Sequence, residues 1–132
     1  MNQLEGTIDR IDSKGNLSVV DIQVGGSILT TIVIETPETV SYLRKDLSIN
    51  VLFKETEVML AIEKPGRWSV TNQLACTVEK IENGELLSKI SLSYEGHPLQ
   101  CLLLTRVVRD MGLMSGQAVW AMVETTEIML QA

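Results

Sequence analysis

Apolar and polar positions alternate over short runs along most of this chain, and turn-forming residues separate the runs. Residues 3–11 alternate and place Leu4, Ile8 and Ile11 on a strand, which breaks at the turn cluster Asp12-Ser13-Lys14-Gly15-Asn16. Leu17 to Val24 reads as a second strand, closed by Gly25-Gly26, where two glycines between β-branched runs suit a tight hairpin. Ile28 to Ile34 is a third strand. Thr36-Pro37-Glu38 has the makings of a helix start: a hydroxyl cap, proline in the first turn, then an acid. A short helix over about 37–43 is predicted, followed by strands at about 49–53 and 57–62.

The same plan then runs a second time. Asn2-Gln3-Leu4 returns as Asn72-Gln73-Leu74, and Thr56-Glu57-Val58-Met59-Leu60 returns as Thr126-Glu127-Ile128-Met129-Leu130, both seventy residues later. Thr7 with Thr77, Ile11 with Ile81, Gly26 with Gly96 and Leu43 with Leu113 keep that register. One register held without a gap over most of the chain is a duplication. The second copy has Asn83-Gly84 at its first turn, Glu95-Gly96 at its hairpin and a helix over about 106–111 ended by Gly112. The expected organisation is a first repeat over residues 1–63, a linker over 64–68 and a second repeat over 69–132. Five strands with one short helix per copy predict a mainly β chain of two tandem OB-like five-stranded barrels. Units this small bury little surface alone, so the copies, and whole chains, are expected to pack together as a homo-oligomer: a dimer, a trimer or larger.

Composition removes several functions. The formal charge of −6 and the five aromatic residues in 132 oppose direct nucleic-acid binding. No run is long and apolar enough to cross a membrane, and Met-Asn-Gln-Leu-Glu-Gly does not read as a secretory signal, so a cytoplasmic location is expected. Cys76 and Cys101 stand apart in apolar strands with no ligand-like spacing, which reads as two buried thiols and no metal-cation site. His97 lies at a hairpin tip without partners, and no nucleophile–base constellation occurs. An enzyme is not expected.

Certain segments carry a resemblance. They are Ser69-Val70-Thr71-Asn72-Gln73-Leu74-Ala75-Cys76, its shorter counterpart Asn2-Gln3-Leu4-Glu5-Gly6, the middle Gly25-Gly26-Ser27-Ile28-Leu29-Thr30, and the endings Lys54-Glu55-Thr56-Glu57-Val58-Met59 and Glu124-Thr125-Thr126-Glu127-Ile128-Met129. Together with Gly66-Arg67-Trp68 running into Ser69, they resemble the molybdate-binding Mop or TOBE family, and specifically its two-copy members, the tandem molbindins. The resemblance implies a cytoplasmic protein that binds molybdate or tungstate for molybdenum storage or homeostasis, with the anion held at interfaces between repeats or subunits.

A tetrahedral dianion needs donors that converge on it: backbone N–H groups, hydroxyls and a cation or two. The resemblance makes Ser69, Thr71, Asn72, Lys54, Glu55, Thr56, Thr125 and Thr126 the candidate oxyanion-binding residues. Other family donor positions are changed. The opening Arg is Met1 in one copy and Thr71 in the other, the third-strand Thr is Ile34 and Leu104, the helix Ser is Pro37 and Val107, and the second closing Lys is Glu124. A carboxylate about 4 Å from a dianion is repelled by several kcal/mol at an effective dielectric of about 20. Those substitutions define the alternative reading, a regulatory or oligomerisation module that kept the fold and gave up the ligand. Arg106 and Arg109 read as a solvated helix face, and Trp68 as a packing anchor between copies or chains.

Overall fold

The computed structural model describes all 132 residues. Ten strands form two five-stranded antiparallel sheets: β1 (Asn2–Lys14), β2 (Leu17–Val24), β3 (Ser27–Val33), β4 (Ser48–Phe53), β5 (Met59–Ala61), β6 (Asn72–Asn83), β7 (Leu87–Tyr94), β8 (His97–Leu104), β9 (Ala118–Val123) and β10 (Met129–Gln131). The period-two alternation does what it predicts. On β1, Asn2, Leu4, Gly6 and Ile8 face inward, and on β6 Asn72, Leu74, Cys76 and Val78 do the same. Both long strands carry an irregularity at the same place, between Ile8 and Arg10 and between Val78 and Lys80. An extra residue there bends the strand and lets each sheet curl.

The sheets do not follow the sequence repeats. Their orders are β10-β4-β1-β2-β3 and β5-β9-β6-β7-β8, so each repeat gives its last strand to the other. Met129, Leu130 and Gln131 pair with Leu52, Val51 and Asn50, while Met59, Leu60 and Ala61 pair with Met122, Ala121 and Trp120. The exchange is reciprocal and keeps the seventy-residue register. Each sheet is a curled half-barrel whose edges are an exchanged strand and the third strand of the repeat, rather than a barrel closed within one repeat. The core follows suit: 25 buried apolar residues from both repeats form one cluster.

Polar clamps repeat the two-fold relation. The Asn2 amide donates to the Gln100 carbonyl and accepts from the Gln100 N–H, both at 2.8 Å. Asn72 does the same with Thr30, at 2.8 and 2.7 Å. The Thr31 hydroxyl donates to the Ile128 carbonyl at 2.7 Å, and in the equivalent place the Cys101 thiol donates to the Val58 carbonyl at 3.3 Å. At the hairpin tips Tyr94 donates to the Val24 carbonyl at 2.6 Å, and the Glu95 carboxylate accepts from Gly26 N–H at 2.9 Å. Gly25 has a φ of +56°, and a Cβ there would collide with that carboxylate.

One expected element is missing. The second repeat forms α1 (Thr105–Met111), closed by Gly112 at φ 67° with its N–H on the Arg109 and Val108 carbonyls. The first repeat forms no helix over 37–43, only turns around Thr36, whose carbonyl accepts from Thr39 and Val40 N–H. Tyr42 occupies the position where Gly112 turns left-handed, so the segment lacks the terminator that closes α1. The expectation of one helix per copy is therefore corrected to one helix in all.

Candidate functional site

Lys54 and Glu124 are equivalent residues that end β4 and β9 and lead into single 3₁₀ turns, Glu55–Glu57 and Thr125–Glu127. In each turn the N–H of the third residue returns to the carbonyl of the leading one, Glu57 to Lys54 and Glu127 to Glu124, both at 3.0 Å. Val58 and Ile128 anchor the turns in the core. The side chains of Lys54, Thr56, Glu124 and Thr126 are left exposed. Strand exchange brings the two turns towards one another across a small cleft of about 190 Å³ lined by Thr56, Glu57, Met59, Glu124 and Glu127.

The predicted donors are dispersed around this region. Lys54 is in none of the three ion pairs of the chain, which are Met1 with Glu55, Arg10 with Asp12 and Lys80 with Glu82. The Glu55 carboxylate is taken by the Met1 α-amino group, whose hydrogen bond holds it below the ordinary carboxylate range. Thr125 uses its carbonyl to accept from Thr31 at 3.2 Å. Ser69 and Thr71 are exposed where the linker enters β6. Asn72 is 1% exposed and both ends of its amide are bonded to Thr30, so it fastens the sheets together. Of the candidates, only Thr56 lines the small cleft, and three carboxylates share it.

Thr71 instead faces a larger cavity of about 490 Å³ that also includes Ser27, Lys64, Gln73, Tyr94, Glu95 and Trp120. The Lys64 ammonium lies 5.1 Å from the centre of the Trp120 ring, a cation–π contact. Nothing in the sequence pairs these two, because the contact depends on the path of the linker. Trp68 is 52% exposed, which leaves about half of its surface open. No group of three or more His, Cys, Asp or Glu side chains is placed to hold a metal ion. No helix is long and apolar enough to cross a membrane.

Comparison with known proteins adds three findings. Residues 69–130 match the model of the TOBE domain. The fold is similar to that of the cytoplasmic molybdate-binding protein ModG in a crystal form with molybdate bound, with 24% identity, 99% of this chain and 95% of that chain covered and a TM-score of 0.90. A molybdate-binding protein from Sporomusa ovata is 31% identical over 51% of this chain and 100% of its own, with a TM-score of 0.49. No curated protein matches the chain.

Proposed function

We propose that this chain, whose residues 69–130 match the TOBE domain and whose fold is similar to that of the cytoplasmic molybdate-binding protein ModG, binds molybdate or tungstate as part of intracellular molybdenum storage or homeostasis. The observation that carries the reading is the exposed Lys54, in none of the ion pairs of the chain and at the head of the 3₁₀ turn that carries the exposed Thr56. A cation and a hydroxyl in one turn suit an oxyanion, because both can donate hydrogen bonds to it and the ammonium also offsets its charge.

Ser69, Thr71, Thr125 and Thr126 are the remaining side-chain candidates, and none of them lines the small cleft with Thr56. The site is accordingly completed at an interface between chains, which supplies donors one chain lacks. Such an arrangement makes anion binding and homo-oligomer formation mutually reinforcing.

A second reading has its own support. Glu57, Glu124 and Glu127 crowd the cleft beside Thr56 and repel a dianion. In that reading the chain is a ligand-free regulatory or oligomerisation module.

Isothermal titration of the full chain with molybdate, tungstate and sulfate separates the two. Anion binding predicts saturable heat with a definite stoichiometry, and Lys54→Ala weakens it by about tenfold through loss of a charge-assisted hydrogen bond. Absence of heat at millimolar anion favours the module, and an unchanged affinity in Lys54→Ala removes that lysine from the site.

A further inference from the structure

The turn between β6 and β7 holds a chemically reactive pair of residues that its own geometry requires. Of the five asparagines in the chain, Asn83 alone precedes glycine; Asn2 and Asn72 precede Gln, Asn16 precedes Leu and Asn50 precedes Val. Gly84 resists exchange for a larger residue, because a Cβ there would lie 2.5 Å from the Leu87 carbonyl oxygen. Both Asn83 and Gly84 are exposed. In the first repeat the equivalent positions are Ser13 and Lys14, so the pair occurs once per chain.

That turn seats the start of α1. The Thr105 hydroxyl donates to the Gly84 carbonyl at 2.9 Å, and Thr105 N–H donates to the Leu86 carbonyl at 2.8 Å. On the strand side, Asn83 ends β6 opposite Ser88, whose hydroxyl donates to Asn83 Oδ1 at 2.8 Å. Gly84 N–H donates to the Leu87 carbonyl at 2.9 Å. A main-chain nitrogen that follows asparagine can attack the side-chain amide, and a glycine nitrogen does so most readily because no Cβ shields it or restricts its backbone. In the closed turn the nitrogen is tied to Leu87 and the amide to Ser88, so each reacting group is fastened elsewhere.

We propose that Asn83 is a site of spontaneous deamidation, gated by opening of the turn over residues 83–87. The Gly84 nitrogen bonds to the Asn83 Cγ, and the side-chain amide leaves as ammonia, taking the Gly84 proton with it. Water then opens the five-membered imide. Cleavage of the bond from nitrogen to Cγ gives aspartate, and cleavage at the main-chain carbonyl gives isoaspartate, in which the chain runs through the side-chain carbon. No oxidant or reductant takes part. Either product adds a negative charge to the cleft that Asn83 lines with Thr105 and Arg109. Isoaspartate also lengthens the main chain by one carbon at the end of β6, which moves the Gly84 carbonyl away from Thr105 and loosens the seat of α1.

The test is incubation of the full chain in mildly alkaline buffer, native and in urea, followed by trypsin and mass spectrometry. Cleavage after Lys80 and Lys89 isolates the peptide over residues 81–89, which contains Asn83 and no other asparagine. Asn83 is expected to convert in both samples to a mixture of aspartate and isoaspartate, slower in the native chain by about tenfold or more. Thr105→Val loses the hydroxyl that holds the Gly84 carbonyl; it raises the native rate severalfold and leaves the rate in urea unchanged. Hydrogen exchange over residues 105–111 is expected to be faster in the isoaspartate fraction than in the parent. A native chain with no conversion after many half-lives of the urea sample overturns the proposal, as does earlier conversion of another asparagine. Equal rates in the two states, or a folded Thr105→Val that converts as the parent does, overturn the gating by the turn. If Thr105→Val does not keep the native circular dichroism spectrum, Ser88→Ala, which frees the Asn83 side chain, provides the same comparison.

Discussion

Single buried side chains decide how the two sheets stay together. Asn72 satisfies both the N–H and the carbonyl of Thr30 from a position 1% exposed, so Asn72→Ala leaves two backbone groups without partners. Its expected cost is about 2–4 kcal/mol, read as a lower urea midpoint, with a similar loss for Asn2→Ala. Three other buried or half-buried groups make stability depend on alkaline pH. Burial pushes the Cys76 thiol up to about 11, the Cys101 thiol to about 12 and, with help from the Glu35 carboxylate, the Tyr42 hydroxyl to about 12. The folded state keeps these protons after the unfolded chain has begun to release its own, near pH 9 for thiols and 10 for the phenol. Their contribution is intact below pH 9 and disappears as pH rises through 12, so melting temperature is expected to fall steadily across that window. A flat profile between pH 9 and 11 in thermal melts contradicts the assignment. The asparagines were visible in the sequence as repeated openings of the first strand, but Asn72 also matched a binding motif. Only its burial against Thr30 separates those roles.

At the level of elements, most of what formed was written in local pattern. β2 begins and ends where alternation and the Gly25-Gly26 turn place it, and α1 ends at Gly112. The helix expected near residue 37 failed for a local reason too, since Tyr42 stands where a left-handed terminator is needed. Gly112 tests this directly. Its φ is 67° and nothing lies within 4 Å of a Cβ placed there, so Gly112→Ala has a conformational cost without a steric one. About 1 kcal/mol of destabilisation is expected in chemical denaturation. The exchange of β5 and β10 was not legible, and for a physical reason. In a duplicated chain β4 and β9 offer nearly the same edge, so strand pattern alone cannot say which repeat supplies the partner. The same ambiguity hides the candidate site, because Thr56 meets Glu124 and Glu127 only after the exchange.

On the scale of the whole molecule, the duplication yields one body. A single apolar cluster spans both repeats, and every pair of clamps crosses between them. Divergence after duplication then gave the halves different surfaces: a lysine faces the turn of one repeat where a glutamate faces the other, and only the second has a helix with two arginines. The residues between β5 and β6 have little to do with this union. Glu63, Lys64, Gly66, Arg67 and Trp68 are exposed, and the sheets are already joined by hydrogen bonds on either side of them. A protease that severs the backbone near Gly66 should consequently leave an interlocked two-fragment particle. Denaturing gels would then resolve two pieces of similar mass, while size-exclusion chromatography in native buffer would still give one peak at the elution volume of the uncut protein.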